Sequence, residues 1–121
     1  MTGAEVLNKS LQLLGYSDSN GNAHLTQVIR NRALMVVNLV YMELSRNCGI
    51  DNMSLSSLND EVKLPERVLI EVMPCGIAMY VANAESDFNA EAFWSREYNS
   101  KRATLSRLEE IKDTLPNVES E

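Results

Sequence analysis

The chain is short of nearly every residue type that marks catalysis or metal binding. Its 121 residues hold one histidine, His24, and two cysteines, Cys48 and Cys75. Structural zinc takes about four Cys or His ligands, and a disulfide framework needs more cysteines at patterned spacing. No metal and no cofactor is therefore expected, and both cysteines read as reduced thiols. Glycine (5) and proline (3) are scarce, which disfavours a turn-rich all-β fold. The apolar runs fall far short of the ~20 residues a membrane helix needs, so no membrane role is expected. The opening MTGAEVLNK lacks a basic start followed by an apolar stretch, so no signal peptide is expected. Bases are also in deficit, 11 against 17 acids, for a net charge of −6. Affinity for nucleic acid is drawn from Lys and Arg placed against phosphates, so this balance argues against a phosphate-gripping surface. It leaves room for a wall that DNA slides past. Most of the negative charge falls in the second half of the chain.

What is present is helical. The length suits a single domain, expected over residues 1–115, with 116–121 as a flexible acidic tail. Thr2-Gly3-Ala4-Glu5 fits a capping box, followed by Ala4, Leu7, Leu11 and Leu14 at helical spacing and by Gly15 as a stop. Tyr16 to Ala23 is loop chemistry, with a turn signal at Asn20-Gly21. A long second helix is expected from Leu25 to Asn47, with an apolar stripe broad enough to be covered on more than one side. Cys48-Gly49 ends it. A long loop, Ile50 to Lys63, follows, with Leu55 and Leu58 as apolar anchors.

Leu64-Pro65-Glu66 opens the third helix, with proline in the first turn where its missing N–H costs nothing. That helix carries small residues, Gly76, Ala78, Ala82 and Ala84, beside Tyr80. Pro74 lies inside it and predicts a kink near Ile70–Met73, or two shorter helices. Gly76 allows close approach of another backbone. Ala84 to Asn89 forms an acidic corner where Asp87 or Asn89 caps the fourth helix. That helix carries Phe93, Trp94, Tyr98, Arg102, Leu105 and Leu108 and stops at Pro116. The fold class is all-α, a small four- to five-helix bundle with a long loop between the second and third main helices.

No group in the sequence is placed for bond-making chemistry. His24 sits at a helix start with no evident nucleophile or carboxylate partner, and reads as an exposed or capping residue. Cys75 beside Pro74 reads as a small buried residue, since a reactive thiolate needs a cationic neighbour or a helix N-terminus. Phe93, Trp94 and Tyr98 have Arg96, Lys101 and Arg102 nearby, as a base-stacking site would, but Glu91 and Glu97 are interleaved. They read as core or subunit-interface anchors. Walker, Rossmann, zinc-protease and nucleophile-elbow patterns are absent. The expectation is a protein that is not an enzyme.

Over nearly its whole length the chain resembles the head–tail connector (adaptor, or head completion) proteins of tailed bacteriophages. The matching features are a first helix ending in glycine, a long second helix, a loop, a Leu-Pro opening, a helix rich in small residues and an acidic corner. The last helix then carries an aromatic, a tyrosine and basic positions. The residues that bear the likeness are Leu64, Pro65, Tyr80, Ala82, Asp87, Ala92, Phe93, Tyr98 and Arg102. Pro74 departs from the pattern. The resemblance implies a structural virion protein at the head–tail junction, made in the host bacterial cytoplasm. It implies a homo-oligomeric ring, typically of twelve subunits, beneath the portal protein. Such a ring extends the channel, lets DNA pass without sequence-specific binding, and docks a stopper or tail-completion protein. Candidate interface residues are Phe93, Trp94, Tyr98, Arg102, Leu105, Leu108, Leu55 and Leu58. The competing expectation is a small helical DNA-binding or DNA-packaging regulatory protein, with Asn31 to Arg46 as its recognition helix.

Overall fold

The computed structural model describes residues 1–16, 27–51 and 53–114, and the side chains of all of these except 28 and 106–114. The Asn20-Gly21 turn, His24, Leu25, the Pro116 stop and the 116–121 tail lie outside the described residues, as does the side chain of Leu108. Among the described residues four helices form a small all-α bundle: α1 (Gly3–Leu13), α2 (Gln27–Asn47), α3 (Met73–Ala84) and α4 (Phe88–Thr114). Among the described residues the only extended pairing is an isolated bridge between Thr2 and Glu61.

The start of α1 follows from its sequence. The Thr2 hydroxyl accepts from the Glu5 amide at 3.2 Å, and the Glu5 carboxylate accepts from the Thr2 amide at 2.8 Å, closing the capping box. The remaining first-turn amides find partners in the segment before α3. The amide of Gly3 donates to the Asp60 carbonyl and that of Ala4 to the Leu58 carbonyl. No first-turn donor of α1 is left without an acceptor, which is the condition for burying a helix end. Gly3 itself is needed for contact: a Cβ there would stand 2.7 Å from the Leu55 side chain.

Three of the helices stop in the same way. After α1, the Gly15 amide bonds to the Gln12 carbonyl and Tyr16 to Leu11. After α2, Gly49 bonds to Arg46 and Ile50 to Ser45; after α3, Ser86 bonds to Asn83 and Asp87 to Ala82. This pair of backward bonds is the Schellman arrangement, which needs a left-handed residue at its centre. Gly15 (φ 76°) and Gly49 (φ 69°) fill that position without strain, whereas at the third end Ser86 holds φ 58°.

The segment from Ile50 to Leu64 is tied down at two places. The Asn38 side chain of α2 accepts from the Leu55 amide at 2.7 Å and donates to the Leu55 carbonyl at 3.0 Å, so it stands in for a neighbouring strand. Tyr41 accepts from the Lys63 amide at 2.8 Å through its hydroxyl. Pro74 does not break the third helical stretch. A π-helical turn, Val68–Val72, leads directly into α3, with the Met73 amide bonded to the Val68 carbonyl. Arg67 and Met73, on either side of that turn, keep right-handed helical dihedrals. The wider turn accommodates the proline ring, which in an α-helix would crowd the carbonyl four residues back.

α3 is the central element. It touches α1, α2 and α4, most extensively α4, while α1 and α4 scarcely touch each other. Met73, Ile77, Ala78 and Ala82 are fully buried within this ring of partners.

Candidate functional site

The densest polar arrangement lies where α2, α3 and α4 meet. Glu43 of α2 accepts from the Tyr98 hydroxyl at 2.7 Å and from the Tyr80 hydroxyl at 3.0 Å. Arg102, one turn after Tyr98, lies 5.1 Å from the centre of its ring and donates through Nε to Asn47 at 2.9 Å. Five side chains from three helices thus form one connected set. Burial, and then the Glu43 carboxylate, push the Tyr80 hydroxyl up to about 12 and hold Tyr98 further above the ordinary phenol value. Both phenols are therefore neutral donors at ordinary pH. The cluster is arranged to hold protons in place, and its work is to clamp the helices.

Gly76 explains how Tyr98 reaches this position. A Cβ at Gly76 would lie 2.6 Å from the Tyr98 ring, so the absence of a side chain on α3 is what admits the ring. The close approach expected at Gly76 is made by an aromatic ring, not by another backbone.

The candidate interface residues divide sharply. Tyr98 (1% exposed) and Leu55 (6%) are packed into the chain's own core and present nothing to a partner. The Gly76 notch takes the Tyr98 ring, and Asn38 holds the Leu55 backbone through both its amide and its carbonyl. Trp94, Arg102, Leu105 and Leu58 are half-buried, with Trp94, Leu105 and Leu58 packed on the edge of the core. Phe93 stays exposed and meets Trp94 edge-on at 4.8 Å. Met35 and Leu39, part of the broad stripe expected on the second helix, and Phe88 are 60%, 41% and 63% exposed, and none of the three is among the candidate interface residues. The signal was available for the first two, since a stripe as broad as that of α2 cannot be covered entirely by one chain.

On α2, Arg32, Met35, Leu39 and Arg46 lie outward at helical spacing, with Met42 half-buried among them. The single acid of α2, Glu43, is turned inward to the tyrosines, so this outward strip carries only positive charge. Phe88 is set in the opposite environment. It begins α4 within residues 85–91, which hold Glu85, Asp87 and Glu91 and no base. Asp87 caps α4 by accepting from the Ala90 amide at 3.3 Å, and it also accepts from the Tyr16 hydroxyl at 3.4 Å.

Two shallow grooves flank the π-helical turn. One, of about 200 Å³, is lined by Lys9, Gln12, Leu13, Ile70 and Pro74. The other, of about 70 Å³, lies between Arg67, Glu71 and Val72 on one side and Lys101, Thr104 and Leu105 on the other. Neither groove is lined by a Cys, Ser or His side chain. Cys75 is buried, its thiol bonded to the Glu71 carbonyl at 3.6 Å, and burial pushes its pKa up, the reverse of what a thiolate nucleophile needs. Among the described residues no three His, Cys, Asp or Glu side chains are grouped to hold a metal ion, and no helix is long and apolar enough to cross a membrane. Comparison with protein-family models, curated proteins and solved structures finds no match.

Proposed function

We propose that this chain is a structural assembly subunit of the head–tail connector type, which joins copies of itself into a ring on a portal and performs no catalysis. One observation carries the reading. The core is filled by the chain's own residues, yet bulky apolar side chains stay exposed on several elements: Leu13 on α1, Met35 and Leu39 on α2, Ile70 in the π-helical turn, and Phe88 and Phe93 on α4. A ring of identical subunits needs two different faces on each, because the contact is head to tail. Apolar patches rimmed by charge are the usual mark of protein–protein surfaces. The net charge of −6 suits a conduit that passes DNA without gripping it.

The test is to mix the protein with a purified portal ring and inspect the particles by electron microscopy. A new ring-shaped layer under the portal is the expected result, and a portal that remains bare removes the reading. The competing DNA-binding reading draws on Arg30, Arg32 and Arg46, all exposed on α2. Three phosphate contacts give weak, strongly salt-dependent binding. Electrophoretic mobility shift at low salt separates the two, since the connector reading expects no shifted band.

A further inference from the structure

The geometry points to which two faces meet: the acidic Phe88 corner of one copy seats on the outward strip of α2 in the next. The inference rests on the assembly reading and adds the contact that builds it. The occupant of the α2 strip must supply an apolar group for Met35 and Leu39 and negative charge for Arg32 and Arg46. Residues 85–91 carry both within two turns, a 63% exposed phenylalanine and three carboxylates with no base among them. Asp87 and Glu91 already accept bonds from Tyr16, the Ala90 amide and Asn83. Those bonds fix the carboxylates in place and leave their charge, so the acidic rim around Phe88 is preorganised.

The match extends to geometry. Arg32 and Arg46 bracket the strip, about 21 Å apart along a helix axis at 1.5 Å per residue. Met35 and Leu39 stand between them, one turn apart. An apolar centre closed by opposite charges on its rim is the usual anatomy of a specific interface. The groove at Leu13 and Ile70 and the exposed Phe93 are the other apolar surfaces available to the strip among the described residues. The groove is lined by one base, Lys9, and no acid, and Phe93 has Arg96 and Glu97 one turn further on, whose charges cancel, so neither surface has a negative excess to offer two arginines. A phosphate backbone would satisfy the arginines but would leave both apolar side chains against charge.

Because the two faces differ, each can be disabled alone. Met35→Glu blocks the strip and Phe88→Ser removes the ring. Both positions are more than half exposed, so each variant retains the wild-type helical circular dichroism. Sedimentation velocity at low salt and rising concentration provides the readout. Wild-type protein forms dimers and larger species. Each variant alone is expected to stay monomeric, with association weakened at least tenfold. Mixed one to one, the two variants form a dimer and nothing larger, because one intact strip and one intact corner remain. A wild-type chain that stays monomeric throughout, a variant that associates like the wild type, or a mixture that stays monomeric overturns the assignment. Ile70→Glu, expected to be neutral, overturns it if it alone abolishes association, and so does a mobility shift of DNA that Met35→Glu removes. Failure here with a layer still formed on the portal discards only the two faces; a bare portal discards the connector reading itself.

Discussion

The inward side of α2 is closed by its own chain. Val37, Val40, Tyr41 and Leu44 are at most 1% exposed, and Glu43 spends both carboxylate oxygens on tyrosines of α3 and α4. The outward side of the same helix leaves Met35 and Leu39 in solvent between two arginines. Both sides are apolar by sequence, and only the inward one has a partner among the described residues. Substitutions on the inward side should therefore register as lost stability, whereas outward ones should leave stability alone and register in association.

The largest effect should come from Tyr98, the inward aromatic. Truncation of a buried aromatic to alanine costs about 4 kcal/mol, so Tyr98→Ala should lower the urea midpoint severely. Tyr98→Phe keeps the ring and removes the bond to Glu43, a charge-assisted hydrogen bond worth about 2 kcal/mol. A Tyr98→Phe effect as large as that of alanine would mean the polar cluster, and not the packing, holds the seam. Gly76→Ala comes next: the added methyl meets the Tyr98 ring, and overpacking of this kind costs about 2 kcal/mol.

Titration probes the same seam. Tyr80 and Tyr98 have folded pKa values raised above the ordinary 10.0, by burial first and then by Glu43. The folded state therefore favours the protonated phenol. That contribution is fully present below pH 10.0 and is lost as pH climbs through about 12, where Tyr80 titrates in the folded chain. Far-ultraviolet circular dichroism should fall in step with the appearance of the last tyrosinate absorbance. Tyrosinates that all appear near pH 10.0 while the helices persist would show that the cluster is open to water.

Local signals in the sequence were enough for the helix ends, because caps are decided by residues three or four apart. Thr2 with Glu5, Gly15, Gly49, Pro65 and Asp87 all act within a turn of where they stand. The inward or outward direction of a side chain was legible only where one stripe dominated. Glu43 and Tyr98 are 55 positions apart, and nothing local indicates that an acid on α2 is the partner of a tyrosine on α4. Tyr98 therefore reads equally as a core or an interface anchor until the notch at Gly76 is seen to receive it. Pro74 announced a disturbance correctly in place. Its form, a π-helical turn, is not written locally, since a kink, two shorter helices or a wider turn all accommodate the proline.

Ser86 lies at the edge of the outward surface, yet there the backbone decides. The left-handed region costs a non-glycine residue about 1–2 kcal/mol, partly offset by the chain entropy that glycine adds to the unfolded state. Ser86→Gly should therefore raise stability by about 0.5–1 kcal/mol, read as a higher thermal midpoint. Gly15→Ala, at φ 76°, should lower it by a similar amount. Asp87 and Phe88 follow directly, so a gain at Ser86 with unchanged self-association would separate the folding of the corner from its use.

The smallest effect on stability, and the sharpest for the comparison, is expected at Met35. Its side chain is 60% exposed, so Met35→Ser removes little buried surface and should change unfolding free energy by less than about 0.5 kcal/mol. Ala33, two positions before it, is 5% exposed and faces the core; Ala33→Ser puts a hydroxyl there and should cost about 1–3 kcal/mol unless it bonds back to a helix carbonyl. Ser10 and Ser45 already use that escape, donating to the Val6 and Tyr41 carbonyls at 3.0 and 2.8 Å. Urea unfolding of the two variants at a concentration where the protein is monomeric tests the division directly. Equal losses would mean that α2 has no outward side, with Met35 covered in solution by part of its own chain. A neutral Met35→Ser leaves its methionine available for another copy.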